Sequence, residues 1–152
     1  MPKQIFFLFM ISVLSMAGCS FTAKPPETKK QTGLIEVRPS ESSSAAVLSL
    51  LKKARAAAKT GQLEVAEAQL ERALRIEPRN ASLWHYMAKL RLKQGQLEQA
   101  AELAARSNNL QRDNQVLQAD NWRIIAHAHN QQGNIEAARK AQSHVDALMG
   151  NE

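Results

Sequence analysis

Few residues of this sequence have the types and spacing that catalysis or metal binding requires. It contains four histidines and one cysteine, and a single thiol supplies neither an internal disulfide nor a metal site. His127 and His129 are two residues apart in a helical segment, so their side chains point about 200° apart and cannot share a metal ion. The sequence also lacks a phosphate-binding loop and a nucleophile-elbow motif. We therefore expect a non-enzymatic protein that binds no metal and no cofactor.

The single cysteine, Cys19, follows a short apolar segment near the N-terminus. Lys3 precedes an apolar run over residues 5–14, and small residues then lead to the cysteine. A run of this length is typical of a signal peptide, because a membrane-spanning helix needs about 20 apolar residues. The sequence therefore predicts a signal peptide over residues 1–18, and an uncleaved membrane anchor is the alternative.

The stretch Met-Ala-Gly-Cys resembles the lipobox of bacterial lipoproteins, with Met16 where Leu is usual. The resemblance implies cleavage just before Cys19 and attachment of acyl chains, such as palmitate, to this cysteine. Several acyl chains anchor a protein stably, since each buried CH₂ contributes about 0.8 kcal/mol. Ser20 follows the cysteine in place of Asp, which implies sorting to the outer membrane, with the protein facing the periplasm.

The composition is mildly basic and poor in aromatic residues. Lys and Arg number 20 against 14 Asp and Glu, a formal charge of +6. Removal of residues 1–18 takes away Lys3 alone, which leaves 19 − 14 = +5. This balance favours an acidic partner or an anionic surface. Aromatic residues make up only 5%, which argues against base stacking, so we expect no nucleic-acid partner.

Residues 19–44 are rich in Pro, Lys, Ser and Thr and show no persistent helical or strand period. This composition predicts a disordered tether behind the lipidated cysteine. A tether of about 25 residues spans roughly 25–30 Å on average and about 80 Å when extended. Its alternating segment Leu34–Val37 is either an apolar interruption of a linker or a strand that adds to a partner's sheet edge.

Three similar segments follow the tether: KTGQLEVAEAQL, KQGQLEQAAELA and QQGNIEAARKAQ. Their glycines, Gly61, Gly95 and Gly133, are separated by 95 − 61 = 34 and 133 − 95 = 38 residues. A period of 34 with a helix–turn–helix unit is typical of tetratricopeptide repeats. The longer spacing adds four residues in a loop around residues 108–118. The chain resembles this family over residues 45–149, which implies an all-α solenoid of three helix pairs (45–78, 81–114 and 116–149).

The small residues of each segment have a structural reason. Glycine at the three turns permits the left-handed conformation that ends a helix. Alanines let the two helices of a pair approach closely, at Ala54, Ala66, Ala88, Ala100, Ala126 and Ala138. The glutamates, Glu67 among them, follow spacings typical of solvated faces with (i, i+4) partners. We expect helices at 44–60, 64–77, 81–94, 97–108, 116–132 and 135–149.

A stripe of side chains on the first helix of each pair predicts a binding groove. The resemblance to tetratricopeptide arrays implies that partners bind to the face lined by these helices, and residues three or four apart are aligned on it. The predicted groove residues are Arg55, Lys59, His85, Lys89, Lys93, Arg123 and His127. Such cations favour a partner with acidic side chains or a terminal carboxylate. A solvated basic face is the alternative. The two-carboxylate clamp of chaperone-binding relatives is not matched, since Leu51 and Tyr86 stand where it needs Lys and Asn.

The last helix is a second candidate interface. The sequence has no polar capping helix after residue 149. We therefore expect the outer face of this helix, with Ile135, Val145 and Leu148, to be partly open to water or to a partner.

The layout of lipobox, short tether and small repeat domain resembles the LpoP-type lipoproteins, which activate a bifunctional penicillin-binding protein. The resemblance implies a periplasmic protein partner, such as a penicillin-binding protein, and a role in peptidoglycan synthesis. Two alternatives stay open: an assembly factor for a pilus or secretion-system component of the outer membrane, and a general periplasmic adaptor.

Overall fold

Residues 43–150 form six α-helices and contain no β-strand. The structure, a computed structural model, describes these residues. The predicted signal peptide, Cys19 and nearly all of the predicted tether lie outside them. The helices are α1 (Ala45–Lys59), α2 (Leu63–Ile76), α3 (Ala81–Lys93), α4 (Leu97–Leu110), α5 (Gln115–Gln131) and α6 (Ile135–Met149). They pack as three pairs, α1 with α2, α3 with α4 and α5 with α6. The predicted all-α repeat solenoid of three helix pairs is confirmed.

Each pair turns at a glycine in the left-handed conformation. Gly61, Gly95 and Gly133 have φ angles of 77°, 74° and 78°. At the second turn the amide of Gln96 donates to the carbonyl of Arg91 at 2.9 Å, which satisfies a carbonyl that the helix end leaves open. The same bond recurs at the other two turns. Within residues 43–150 no helix combines the length and apolar character that crossing a membrane requires.

Aliphatic side chains fill the core between the first and second pairs. Those of α1, α2 and α3 form one cluster, which includes Val47, Leu50, Leu51, Leu70, Leu83, Met87 and Leu90. The alanines predicted at the close approach within a pair are buried, since Ala54, Ala66, Ala88 and Ala100 are at most 2% exposed. Their counterparts in the third pair, Ala126 and Ala138, are only partly buried, because no described helix packs beyond α6.

An ion pair between Glu67 of α2 and Arg91 of α3 joins the first pair to the second. Arg91 Nη1 donates to Glu67 Oε2 at 2.8 Å, and its second terminal nitrogen donates to Glu67 Oε1. Gln94 Nε2 adds a bond of 3.0 Å to Glu67 Oε2. The hydrogen bond from Arg91 lowers the pKa of Glu67. The expected (i, i+4) partner for Glu67 is therefore wrong, because its partner comes from the next repeat.

A buried hydrogen-bond network joins the second pair to the third. Asn121 of α5 is fully buried, and its Nδ2 donates to Ser107 Oγ and to Asn108 Oδ1 of α4, both at 2.8 Å. Ser107 Oγ in turn donates to the carbonyl of Ala81 at 2.9 Å. His85 Nδ1 of α3 lies 2.8 Å from Asn121 Oδ1. The side-chain amide of Asn121 on α5 thus contacts residues of both α3 and α4.

The network fixes the proton on His85. A carbonyl only accepts, so the single hydroxyl hydrogen of Ser107 points to Ala81 and Ser107 Oγ must accept from Asn121 Nδ2. The amide oxygen of Asn121 then faces the imidazole, which makes His85 Nδ1 the donor. His85 Nε2 is left buried without a hydrogen-bond partner, 3.7 Å from Asp120 Oδ2. Burial lowers the pKa of His85, and Lys89 acts in the same direction, against the opposing influence of Asn121 and Asp120.

The start of α1 is fastened to the turn between α2 and α3. The backbone amide of Ser44 donates to Glu77 Oε1 at 2.7 Å, and Asn80 Nδ2 donates to Ser43 Oγ at 2.8 Å. Ser44 also caps α1 by accepting from the amide of Val47. The chain therefore enters the repeat domain at a fixed point beside Glu77 and Asn80.

Replacing Asn121 with Ala tests the network. The substitution leaves His85, Ser107 and Asn108 without their shared partner, and we expect a loss of about 2–3 kcal/mol in the free energy of unfolding. Urea titration followed by circular dichroism measures it. Asn130→Ala, at an exposed position on the same helix, is the matched control and should change stability by less than about 0.5 kcal/mol. Equal losses in the two variants would contradict the structural role of the network.

Burial of neutral His85 predicts a stability that falls in acid. Its pKa is lower in the folded chain than in the unfolded chain, so below pH about 6.5 the unfolded chain binds more protons and the free energy of unfolding decreases. Urea titrations at pH 7.5 and 5.5 should show a smaller decrease for His85→Gln, which keeps a donor toward Asn121 but does not titrate. His127→Gln, at an exposed site of α5, is the control and should follow the native chain. A native-sized decrease in His85→Gln would show that another group is responsible.

Candidate partner-binding site

A pocket of about 160 Å³ opens between the first and second repeats. Its lining comes from α1 and α3, and Ala66 and Leu70 of α2 complete it. The lining residues are Leu51, Ala54, Arg55, Ala58, Lys59, Ala66, Leu70, Tyr86, Lys89, Leu90 and Lys93. We call this feature the α1–α3 pocket. It brings together four of the seven predicted groove residues, one pair of cations from each helix.

The cations of the α1–α3 pocket surround an apolar floor. Arg55 and Lys59 are four residues apart on α1, and Lys89 and Lys93 are four apart on α3, so each pair lies on one helix face. Six of the lining side chains are aliphatic: Leu51, Ala54, Ala58, Ala66, Leu70 and Leu90. None of the lining residues, within the described part of the chain, is acidic. The pocket therefore combines positive charge at its edge with apolar surface inside.

Two of the cations are held in place by neighbours. Lys93 Nζ donates to the carbonyl of Ala58 at 3.2 Å, at the C-terminal end of α1 where the helix dipole favours positive charge. The Arg55 guanidinium lies 5.6 Å from the centre of the Tyr86 ring, in a cation–π arrangement. Burial raises the pKa of Tyr86, so its hydroxyl stays neutral at physiological pH. Lys59 and Lys89 are exposed and have no salt-bridge partner within residues 43–150.

Arg123 and His127 lie outside the α1–α3 pocket. They line a shallow hollow between α5 and α6, together with Ile135 and Arg139. Arg123 Nη1 forms an ion pair of 3.2 Å with Asp120 Oδ1, which offsets its charge. The structure therefore does not place the seven predicted residues around one pocket.

His85 lies inside the protein and is not a groove residue. Its exposed fraction is 0%, because α3 packs directly against α5 and covers this part of the helix. A partner cannot contact its side chain, so the expected place of His85 in the groove is wrong. The sequence stripe shows which residues share a helix face, but not how much of that face the next helix covers.

The outer face of the last helix is less open than expected. Ile135 is 48% exposed and Leu148 is half-buried, but Val145 is only 3% exposed. The expectation was therefore wrong for Val145, which turns toward the core. Trp122 of α5 stacks on His144 of α6, with ring centres 4.1 Å apart, and this stack covers part of the third pair.

A larger open hollow of about 870 Å³ lies among α2, α3 and α4. Trp84 lies in it, and the Arg106 guanidinium is 3.6 Å from the centre of the indole ring. Its charges have both signs, since Glu71 and Glu102 line it beside the arginines. This hollow therefore lacks the single sign of charge that the α1–α3 pocket has.

Tyr86, Glu67 and Asp120 were not identified from the sequence as residues that hold an arginine side chain in place. Tyr86 is the only tyrosine of the chain, and its place directly beside the Met87 core position was the available signal. Asp120 lies three residues before Arg123, a spacing that predicts an ion pair on a helix. Within the described residues no three His, Cys, Asp or Glu side chains come together as metal ligands.

Comparison with known proteins supports the repeat fold. A tetratricopeptide repeat family model matches residues 57–119. The globular C-terminal domain of P. aeruginosa LpoP is 36% identical with a TM-score of 0.60, and the match covers 65% of this chain and 97% of that domain. The N-terminal domain of stress-induced protein-1 from C. elegans has a TM-score of 0.64, with coverages of 70% and 88%, and at 15% identity it shows the fold alone. A search of curated proteins gave no match.

The match to LpoP extends over almost the whole of the solved domain at an identity above 30%. Such a fold presents helix faces to other proteins and indicates a protein-interaction module. The chain belongs to the tetratricopeptide repeat family, and its repeat domain is LpoP-like.

Proposed function

We propose that this chain is an outer-membrane lipoprotein whose repeat domain binds and activates a bifunctional penicillin-binding protein in the periplasm. The observation that supports this function best is the 36% identity to the P. aeruginosa LpoP domain over 97% of its length. The sequence features that resemble LpoP-type activators also support this function: a lipobox ending at Cys19, a short tether and three repeats.

The anchor and the tether set where the domain can act. Acyl chains on Cys19 hold the N-terminus in the outer membrane, and the tether reaches at most about 80 Å from it. The repeat domain begins at Ser43 and Ser44, which are bonded to Asn80 and Glu77. From there α1, with 15 residues, extends the path by about 20 Å to Lys59 at the pocket.

The α1–α3 pocket is the proposed docking site on the repeat domain. Arg55, Lys59, Lys89 and Lys93 supply its positive charge, and Lys59 and Lys89 are the two most available cations. Arg123 and His127, in the hollow of the third pair, extend the contact toward α6 in this proposal. His85 supports the site from inside, because the network through Asn121 holds α3 against α5.

Activation follows from differential affinity. A module without catalytic residues of its own accelerates an enzyme only by binding its active conformation more tightly than its inactive one. A preference of about 1–3 kcal/mol corresponds to a shift of about 5–150-fold in the equilibrium between these conformations.

Addition of the full chain, in detergent, to the bifunctional penicillin-binding protein of the same organism tests activation. We expect the rate of glycan polymerisation from lipid-linked disaccharide precursor to rise about fivefold or more. The Asn121→Ala variant, assayed at a temperature where part of it is unfolded, should stimulate in proportion to its folded fraction. Unchanged polymerisation at a concentration that saturates binding would contradict the proposed function.

Substitution of Cys19 with Ser tests the anchor separately from the domain. Without the thiol no acyl chain can be attached, so we expect the variant to leave the outer-membrane fraction of fractionated cells. Stimulation by the purified variant in detergent should equal that of the native chain, because residue 19 lies far from the repeats in sequence. Retention of the variant in the outer membrane would contradict lipidation as the means of attachment.

A further inference from the structure

We propose that the α1–α3 pocket receives one large apolar side chain of a partner segment whose neighbouring residues are acidic. This inference deepens the proposed function, on which it rests for the identity of the protein that supplies the segment. It concerns the chemistry of the segment: an apolar anchor between acidic flanks.

The size of the pocket matches a single side chain. Its volume is about 160 Å³, and an apolar cavity of about 150 Å³ accommodates a benzene ring. A Leu, Ile or Phe side chain therefore fits, whereas a lipid acyl chain is too long for it. The walls are chemically suitable, because Leu51, Leu70 and Leu90 present only hydrocarbon to the interior.

The edge of the pocket is charged with one sign. Arg55 and Lys59 lie one helical turn apart on α1, and Lys89 and Lys93 lie one turn apart on α3, so each pair of like charges is mildly destabilising. An acidic segment placed between α1 and α3 removes this repulsion and forms charge-assisted contacts. The carboxylate of Asp120 is paired with Arg123 and does not line the pocket.

The apolar floor and the charged edge act at different places in the same pocket. The apolar floor is formed by side chains that also pack the first joint, so it is held rigidly. The available cations, Lys59 and Lys89, lie on opposite helices and can contact acidic residues on both sides of the anchor. Tyr86 is the only aromatic residue of the lining, and the Arg55 guanidinium lies over its ring, so the pocket offers no row of aromatic rings on which successive nucleic-acid bases could stack.

Binding of capped peptides to the full chain tests the proposal. The probe is an acetylated, amidated Glu-Glu-Leu-Glu-Glu peptide bearing a fluorophore, measured by fluorescence anisotropy. We expect saturable binding that weakens with salt. Exchange of the central Leu for Ser should weaken binding at least tenfold, and exchange of the four Glu for Gln should remove its salt dependence. Equal binding of the Leu and Ser peptides would overturn the proposal.

Two variants locate the binding site. The double variant Lys59→Glu with Lys89→Glu should bind the Leu peptide at least tenfold more weakly. The control Lys53→Glu with Lys140→Glu changes the net charge equally at exposed positions outside the pocket and should bind within twofold of the native chain. Ala58→Leu fills the pocket and should abolish the preference for Leu over Ser while binding still depends on salt. A weakening in the control as large as in the double variant would place the site elsewhere.

Vesicle binding and stimulation of the penicillin-binding protein distinguish a protein segment from a lipid surface as the occupant of the pocket. Binding to phosphatidylglycerol vesicles that exceeds binding to neutral phosphatidylcholine vesicles and survives Ala58→Leu, without peptide binding, would overturn a protein segment as the occupant. Excess Leu peptide should also reduce stimulation of the penicillin-binding protein. If the chain prefers the Leu peptide to the Ser peptide but does not stimulate the penicillin-binding protein, the result would support the pocket chemistry and overturn the proposed function. If the chain stimulates the penicillin-binding protein but binds the two peptides equally, the result would overturn the pocket chemistry alone.

Discussion

Each helix of this chain buries one face against the other helix of its pair. The pair as a whole still has an open apolar face, so every pair depends on a neighbouring pair to cover it. The two joints between pairs meet this constraint with different chemistry. The first joint is aliphatic, with the Glu67–Arg91 ion pair at its edge. The second is lined by alanines together with Ile124 and Ile125 and is closed by the buried amide of Asn121. A polar network of this kind is sensitive to spacing, because each hydrogen bond requires its partner within about 3 Å.

The difference between the joints explains where the pocket lies. Helix α3 packs directly against α5 at the second joint, and this contact buries His85. The backbones of α1 and α3 approach each other less closely at the first joint, where leucines of both helices are part of the core. The α1–α3 pocket is the space that this separation leaves. The site is thus a consequence of the different helix spacing at the two joints.

Glycines and alanines that recur at a nearly constant spacing made the fold predictable from the sequence. The three glycines required a left-handed turn, the alanines required close helix contact, and the six predicted helices end within two residues of those observed. The structure brings together only some of the predicted groove residues, because periodicity assigns residues to a helix face without saying what covers it. Arg55, Lys59, Lys89 and Lys93 stay at an open face, whereas His85 is covered by α5. Long-range pairs such as Glu67 with Arg91 depend on the angle between repeats, which no local pattern contains.

In the proposed docking, the charged edge and the apolar floor of the pocket act over different distances, which separates the rate of encounter with a partner from the specificity of binding. Charge attraction extends about 8 Å at physiological ionic strength, so the cations at the edge act before the surfaces touch and mainly raise the association rate. The apolar floor acts only at contact, where a side chain of the right size displaces water, and it mainly slows dissociation. In the proposed function the domain is held near one membrane, where charge alone would bind many acidic proteins weakly. Selection among them would then depend on the apolar floor, formed by leucines that also pack the core of the first joint.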